Sequence, residues 1–401
     1  MSVRPHSLLA RLPFSSKASD IFDFDHVVVG AGVVGLAIAE RLSSIPNTST
    51  LVLERHGSFG VETSSRNSEV LHAGIYYPRE SLKTKLCIRG NQLLTSLCVA
   101  NPSIALKKCG KWIVATTDEQ NEILDRMQAH ARDVGVDVSR LSVREAERIE
   151  PMVKARGVLV SPGTGVFDSH ALMAYLEGQI LNRSQVVAYQ TTVTNLTPLS
   201  YGCLVTTTDR LSSTPTSLRA RTVINAAGLG SERIAAMLLP PSRVAHVHPC
   251  KGHYFGLRGR PPVSRLVYPV PEPNLKGLGI HCTIDLAGNV KFGPDAEYVD
   301  SDSDYGFGAR DGGGEGGKLL DAFHRVIVRY MPVVRKEDLF ADYTGIRPKL
   351  SGPGEPVRDF VIETPVDFPF FLNLTGIESP GLTASLAIAE KCTEMLGYPS
   401  L

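Results

Sequence analysis

Residues 27 to 40 read VVVGAGVVGLAIAE, a short β-branched run that passes into Gly30, Gly32 and Gly35 and then into a helix of small residues. Gly30 permits the tight strand-to-helix turn. Gly32 lets backbone approach a pyrophosphate, and Gly35 lets the helix lie close on the sheet. The start of the helix then offers unpaired N–H groups and a partial positive charge to phosphates. A second apolar run, TLVLE (50–54), ends in Glu54, whose carboxylate can accept the hydroxyls of an adenosine ribose and would repel a 2′-phosphate. Strand, glycine turn, helix, strand and acid together predict a dinucleotide site. The motif alone does not separate FAD from NAD.

Working outward, 401 residues suffice for two structural units sharing one ligand. A net charge of +1 with no long basic run argues against a nucleic-acid partner. No apolar stretch reaches the ~18 residues expected of a transmembrane helix, and the first glycine-rich helix meets Glu40 and Arg41 early. The seven cysteines are scattered and form no CxxC pair, so they read as reduced, buried or incidental thiols. A covalent bond from one of them to a flavin stays open. Residues 1–19, MSVRPHSLLARLPFSSKAS, are serine-rich, carry Arg4, Arg11 and Lys17, and contain no acid. That composition suits a mitochondrial presequence, with a disordered tail of a cytoplasmic protein as the alternative.

Ordered structure is expected from Ile21. Leucines spaced through 82–97 predict a helix, GKWIVATT (110–117) a strand, and 118–134 a surface helix. Residues 157–176 read as strand, turn and helix, with Asp168 or Ser169 as N-cap. Residues 186–196 and 201–208 read as strands, and 220–231 as a buried strand with a glycine turn. Short strands dominate 244–300. GFGARDGGGEGGK (306–318) reads as a flexible connection, and 321–332 as a helix stopped by Pro332. The fold class is therefore α/β, two-lobed with an α+β layout. A discontinuous Rossmann-like nucleotide-binding domain (21–107, 157–235 and 342–401) is interrupted by a mixed or antiparallel-sheet substrate domain (108–156 and 236–341). Residues 1–20 stand outside both. Such interruption points to FAD rather than NAD, because FAD is long and gathers contacts from distant segments.

Four further segments follow the glycine fingerprint in order: TSSRNSEVLHAGIYYP (63–78), VINAAGL (223–229), TGIRPKLSGP (344–353) and GIESPGLTASLAIAE (376–390). Together they resemble FAD-dependent oxidoreductases of the D-amino-acid-oxidase superfamily over residues 25 to 395, and most of all the L-2-hydroxyglutarate dehydrogenase branch. The resemblance implies FAD as cofactor, with Gly30, Gly32 and Gly35 at the pyrophosphate, Glu54 and Arg55 at the adenosine and Val193 at the adenine. It implies Ala227 and Gly228 beside the cofactor, and Gly376, Gly381, Leu382 and Thr383 by the isoalloxazine. The polar run Ser64, Ser65, Asn67 and Ser68 would hydrogen-bond phosphate and flavin edges. Better-known members of the branch have Thr-Gly-His before the Asn-Ser pair, where this chain has Ser65 and Arg66, and Glu69 replaces a usual glycine.

The implied activity is oxidation of an L-2-hydroxy acid, with L-2-hydroxyglutarate going to 2-oxoglutarate by hydride transfer to flavin N5. Such a reaction needs a proton acceptor. His72, in the apolar-flanked LHAGIYYP, is the leading candidate, because imidazole titrates near ~6.5. His281 is the second. Arg347, in TGIRP, matches the superfamily arginine that forks onto a substrate carboxylate. Lys251 and Tyr254, in CKGHYF, lie on a strand expected to line the substrate cavity, with Lys251 as a second cationic clamp. His246, His248 and His253 cluster, but without nearby Cys or acid at ligand spacing, and no metal site is expected. An electron acceptor (a quinone, a carrier protein or oxygen) is implied, and the residues do not choose among them. An amine or amino-acid oxidase, and a flavoprotein assembly factor without turnover, remain alternative readings.

Overall fold

The computed structural model describes residues 22–210, 212–271, 279–307 and 315–398. The proposed presequence and most of the Gly-rich connection lie outside the described residues. At the centre of the first lobe the strand Phe24–Val29 pairs in parallel with Thr50–Leu53 on one side and with the end of Pro215–Asn225 on the other. Val186–Ala188 and Phe371–Thr375 extend this parallel array outward, and Val361–Glu363 closes one edge antiparallel. These strands read as unbroken β-branched runs because both faces are covered. Val28, Val52, Ile224 and Leu372 pack under helices, while Val27, Val29, Leu51 and Val223 face the opposite layer. The first half of Pro215–Asn225 belongs to an antiparallel meander with Thr191–Pro198 and Cys203–Asp209.

The helix Val33–Ser43 follows the glycine turn and buries Leu36, Ala37, Ile38 and Leu42. It packs against Ser169–Asn182 and against the C-terminal helix Gly381–Met395, which in turn lies on Leu82–Ala100. Gly30 has φ +105°, and a Cβ at Gly35 would stand 2.0 Å from the Gly30 carbonyl oxygen. The turn and the close helix approach therefore both require glycine.

The second lobe is a nine-stranded sheet. His248–Leu257 pairs antiparallel with Leu339–Lys349, and Leu266–Pro269 runs parallel to Lys111–Ala115. The helix Glu315–Tyr330 covers the sheet with Phe323 and Ile327. A small separate sheet of Val70–Leu71, Leu106–Lys107 and Gly165–Phe167 gives Leu71 and Phe167 to the core of the first lobe and Val70 and Val166 to that of the second.

Pairing moves two of the expected boundaries. Gly157–Ser161 was placed in the nucleotide-binding domain, yet it pairs with Lys111–Ala115 in the second sheet. Leu339–Lys349 crosses the expected boundary at 342 and belongs to that sheet throughout. A short buried apolar strand suits either sheet, so its own residues do not choose a partner. The expected strand 186–196 is two strands, Val186–Ala188 and Thr191–Pro198, because Gln190 adopts φ +55° between them. Among the described residues no helix is long and apolar enough to cross a membrane.

Candidate active site

A cavity of about 850 Å³ runs from Glu54 and the Gly30–Gly32 turn, through the loop 63–70, to His72, Arg347 and the start of the C-terminal helix. At one end Glu54 is buried at the close of its strand. Its carboxylate accepts from the amides of Ala31 and His56, both at 2.8 Å, and its remaining lone pairs are available to the cavity. Arg55 is ion-paired with Glu62, which also holds His56 at 2.8 Å. Val193, Ala227 and Gly228 line the same end.

The polar run divides by role. Ser64 lines the cavity and accepts from the Val33 amide at 3.0 Å, on the first turn of the glycine-opened helix. Ser68 lines it too and donates to the Tyr254 hydroxyl at 3.2 Å. Asn67 faces the cavity but spends its side chain on its own loop, donating to Ser64 O and accepting from the Glu69 amide. Ser65 is not part of the cavity lining; its hydroxyl turns back to Gly60 O. Glu69 has φ +55°, a conformation that favours glycine. Its carboxylate accepts from the amide and hydroxyl of Ser169 at 3.1 and 2.7 Å, at the start of the helix Ser169–Asn182. An anion at a helix N-terminus is favourable and offsets the backbone strain. The Glu69 departure is thus built into packing between elements. Arg66 lines the cavity with its guanidinium over the Tyr305 ring at 4.2 Å.

At the other end, Gly376, Gly381 and Leu382 line the cavity where the C-terminal helix begins. Thr383 does not. It is fully buried, accepts from the His72 amide at 3.0 Å and donates to Val70 O at 3.1 Å, so it braces the segment carrying His72. The His72 imidazole opens on the cavity and has no hydrogen-bond partner among the described residues. Burial, with the nearby Lys111 charge second, pushes its pKa down to about 3, so the ring is uncharged at neutral pH. His281 stacks on Tyr268 at 3.6 Å between ring centroids and also lines the cavity; burial holds it well below its ordinary value. Tyr254 faces the cavity and stacks on Tyr343 at 4.4 Å.

Arg347 is held by three main-chain carbonyls. Nε donates to Cys250 O at 3.3 Å, and Nη2 donates to Lys251 O at 3.1 Å and to Asp295 O. Nη1 is buried with no partner among the described residues, on a side chain that lines the cavity. Lys251 is a correction. Strand alternation sends Gly252 and Tyr254 to the cavity and Lys251 away from it, so its ammonium bonds Asp304 and Gly306 O, both at 3.0 Å. His253 likewise turns to Asp295, and His246 pairs with Glu232, so the histidine cluster is engaged piecemeal. Of the cysteines only Cys87 lines the cavity, and burial pushes its thiol up to about 12.

Four charged groups at or behind the cavity wall were missed in the sequence. Lys83 and Lys349 share Glu378, at 2.9 and 3.3 Å, on the cavity wall. Burial opposes ionisation there, but the two ammonium groups hold the Glu378 carboxyl below its ordinary value. Lys111 is fully buried between Tyr76 and Tyr268, with burial pushing its amine down to about 7. Its only signal in the sequence is a charge at the head of an otherwise apolar strand.

A family model described as FAD dependent oxidoreductase matches residues 25–395. The chain belongs to this family. Among its relatives, the mitochondrial L-2-hydroxyglutarate dehydrogenase of Arabidopsis thaliana is 40% identical over 91% of this chain and 82% of its own length. L-2-hydroxyglutarate dehydrogenase of Escherichia coli K12 is 27% identical over 91% of each chain. Among solved structures, FAD-bound L-alpha-glycerophosphate oxidase from Mycoplasma pneumoniae superposes with a TM-score of 0.82 at 24% identity, covering 94% of this chain and 95% of that one. The last likeness concerns the fold.

FAD is the cofactor of this oxidoreductase, and its residues fit one. The cavity is continuous from the Glu54 carboxylate to the start of the C-terminal helix, and the glycine turn leaves backbone open to it with no side chain in the way. Two helix starts, those of Val33–Ser43 and Gly381–Met395, turn the positive ends of their dipoles to that cavity.

Proposed function

We propose that this FAD-dependent oxidoreductase oxidises L-2-hydroxyglutarate to 2-oxoglutarate. The observation that carries the reading is a buried guanidinium nitrogen without a partner, Arg347 Nη1, in the same cavity as a neutral imidazole, His72. The names of the plant and bacterial relatives support the substrate.

Arg347 receives the C1 carboxylate of the substrate. A charged hydrogen bond of this kind is worth ~1.5–3 kcal/mol, and the three carbonyls on the other guanidinium nitrogens fix its direction in advance. His72 accepts the hydroxyl proton as the C2–H bond breaks, so the alcohol loses a proton to the imidazole and a hydride from carbon. Bound FAD supplies the acceptor of that hydride at its N5. The first turn of the Gly381–Met395 helix, on the cavity wall, would offset with its partial positive charge the negative charge that a reduced ring held there gains. Orientation by Arg347 makes the proton transfer effectively intramolecular.

The test is anaerobic mixing of the FAD-loaded protein with L-2-hydroxyglutarate and, separately, with a panel of amino acids and amines. The flavin band is expected to bleach with the hydroxy acid. Bleaching by an amino acid instead would transfer the site to amine chemistry. The acid-free residues 1–19 and the mitochondrial name of the plant relative support a mitochondrial address; a reporter fused after residue 25 should reach mitochondria, and a cytosolic reporter would contradict it.

A further inference from the structure

Lys111 is the buried ionisable group that the chemistry above leaves unused. It heads the strand Lys111–Ala115, has no exposed surface, and its Nζ has no hydrogen-bond partner among the described residues. The faces of Tyr76 and Tyr268 flank it at 4.4 and 4.8 Å. A desolvated ammonium is normally matched by an anion. Lys83, equally buried, shows the usual solution, with Glu378 at 2.9 Å. No carboxylate of the described residues acts on Lys111. The groups that feel its charge are His72, His281 and Cys87. With the two tyrosines, all five belong to the cavity wall. The hydroxyl of Tyr76 is also buried with no partner among the described residues.

An uncompensated cation and an unused hydroxyl therefore stand together at one wall of a cavity whose ligand is an anion. Arg347 has one free nitrogen and can serve one carboxylate. We propose that Lys111 is the specificity-determining charge for the distal carboxylate of a dicarboxylic substrate, acting from behind Tyr76, whose hydroxyl makes the direct hydrogen bond. This rests on the 2-hydroxyglutarate reading of the same cavity and assigns the other end of that molecule. The ammonium on the ring face strengthens the phenol as a donor and supplies the long-range attraction. Burial pushes the amine down to about 7. The facing groups do not titrate near that pH. His72 and His281 are neutral there, the hydroxyls of Tyr76 and Tyr268 are pushed up by burial, and Cys87 is pushed up to about 12. An arriving carboxylate therefore favours the charged lysine.

The experiment compares equilibrium binding of 2-oxoglutarate and 2-oxopentanoate, a monocarboxylate of equal carbon count, by perturbation of the flavin absorbance. Wild type, Lys111→Met and Tyr76→Phe are titrated as FAD-loaded proteins. Wild type is expected to prefer the dicarboxylate. Lys111→Met should narrow that preference by about tenfold or more, through weaker 2-oxoglutarate binding alone. The wild-type preference should also shrink as pH rises from about 6 to 9, while that of Lys111→Met stays flat. An unchanged preference in Lys111→Met, or an equal loss for both ligands, overturns the inference and leaves the reaction standing. A wild type with no preference overturns the glutarate reading and the inference with it. If Lys111→Met does not retain FAD, Tyr76→Phe decides, because it keeps ring and cation and removes only the donor. Unchanged preference there overturns the proposal.

Discussion

Asn91 Nδ2 donates to the His72 carbonyl at 2.8 Å, and Thr383 accepts from the His72 amide at 3.0 Å. The main chain of the proposed base is thus held on both sides while its ring stays open to the cavity. Burial and then Lys111 depress its pKa to about 3, far below the usual 6.5. A depressed histidine pKa means that the neutral, proton-accepting form persists as pH falls. The value of kcat/KM should therefore not decline between pH 7 and 5, and a decline with a midpoint near 6.5 would show an ordinary, solvated histidine at work. His72→Asn should slow flavin reduction by about 100- to 10,000-fold, as expected for loss of a general base. Equal reduction rates in variant and wild type would remove His72 from the reaction. His72 was legible in the sequence because its apolar neighbours placed it inside. Lys251 was misjudged because a strand of apolar and polar residues does not declare which face meets a cavity. Lys111 was passed over because the residues that make it unusual, Tyr76 and Tyr268, come from other elements.

The elements that set the site meet through small residues. On Leu82–Ala100, a Cβ at Gly90 would stand 2.2 Å from Thr383 O and 2.8 Å from the Ala384 Cα, so this helix touches the first turn of the C-terminal helix backbone to backbone. That turn carries Gly381 and Leu382 to the cavity wall and braces His72 through Thr383. Gly90→Ala must push the helices apart. We expect a loss of about 1–3 kcal/mol in stability, as for overpacked cores, together with weaker retention of FAD, read by thermal melts with and without added cofactor. A variant as stable and as yellow as wild type would show that the contact is not needed. The strand–glycine–helix units were legible because each combines a β-branched run, a glycine and a small-residue helix within a few positions. The partner of Gly157–Ser161 was not, since sheet membership is decided by long-range pairing with Lys111–Ala115.

For the whole molecule, three remote segments close one cavity: the opening glycine turn, the strand carrying Arg347, and the C-terminal helix start. The first and last of these rest on the parallel sheet, while Arg347 extends from a strand of the second sheet. The seam between the lobes therefore brings Arg347, the proposed carboxylate anchor, from one lobe into the same cavity as the glycine turns of the other. The discontinuous layout was readable from recurring glycine turns. The charge pattern of the seam was not, because Glu378, Lys83 and Lys349 become neighbours only on folding. The central claim is that this seam converts a 2-hydroxy acid to a 2-oxo acid at the expense of bound flavin. It is tested most directly by titrating the FAD-loaded protein anaerobically with L-2-hydroxyglutarate and assaying 2-oxoglutarate as the flavin bleaches. The account predicts one 2-oxo acid formed for each flavin reduced; flavin that stays oxidised, or bleaches without 2-oxoglutarate, would contradict it.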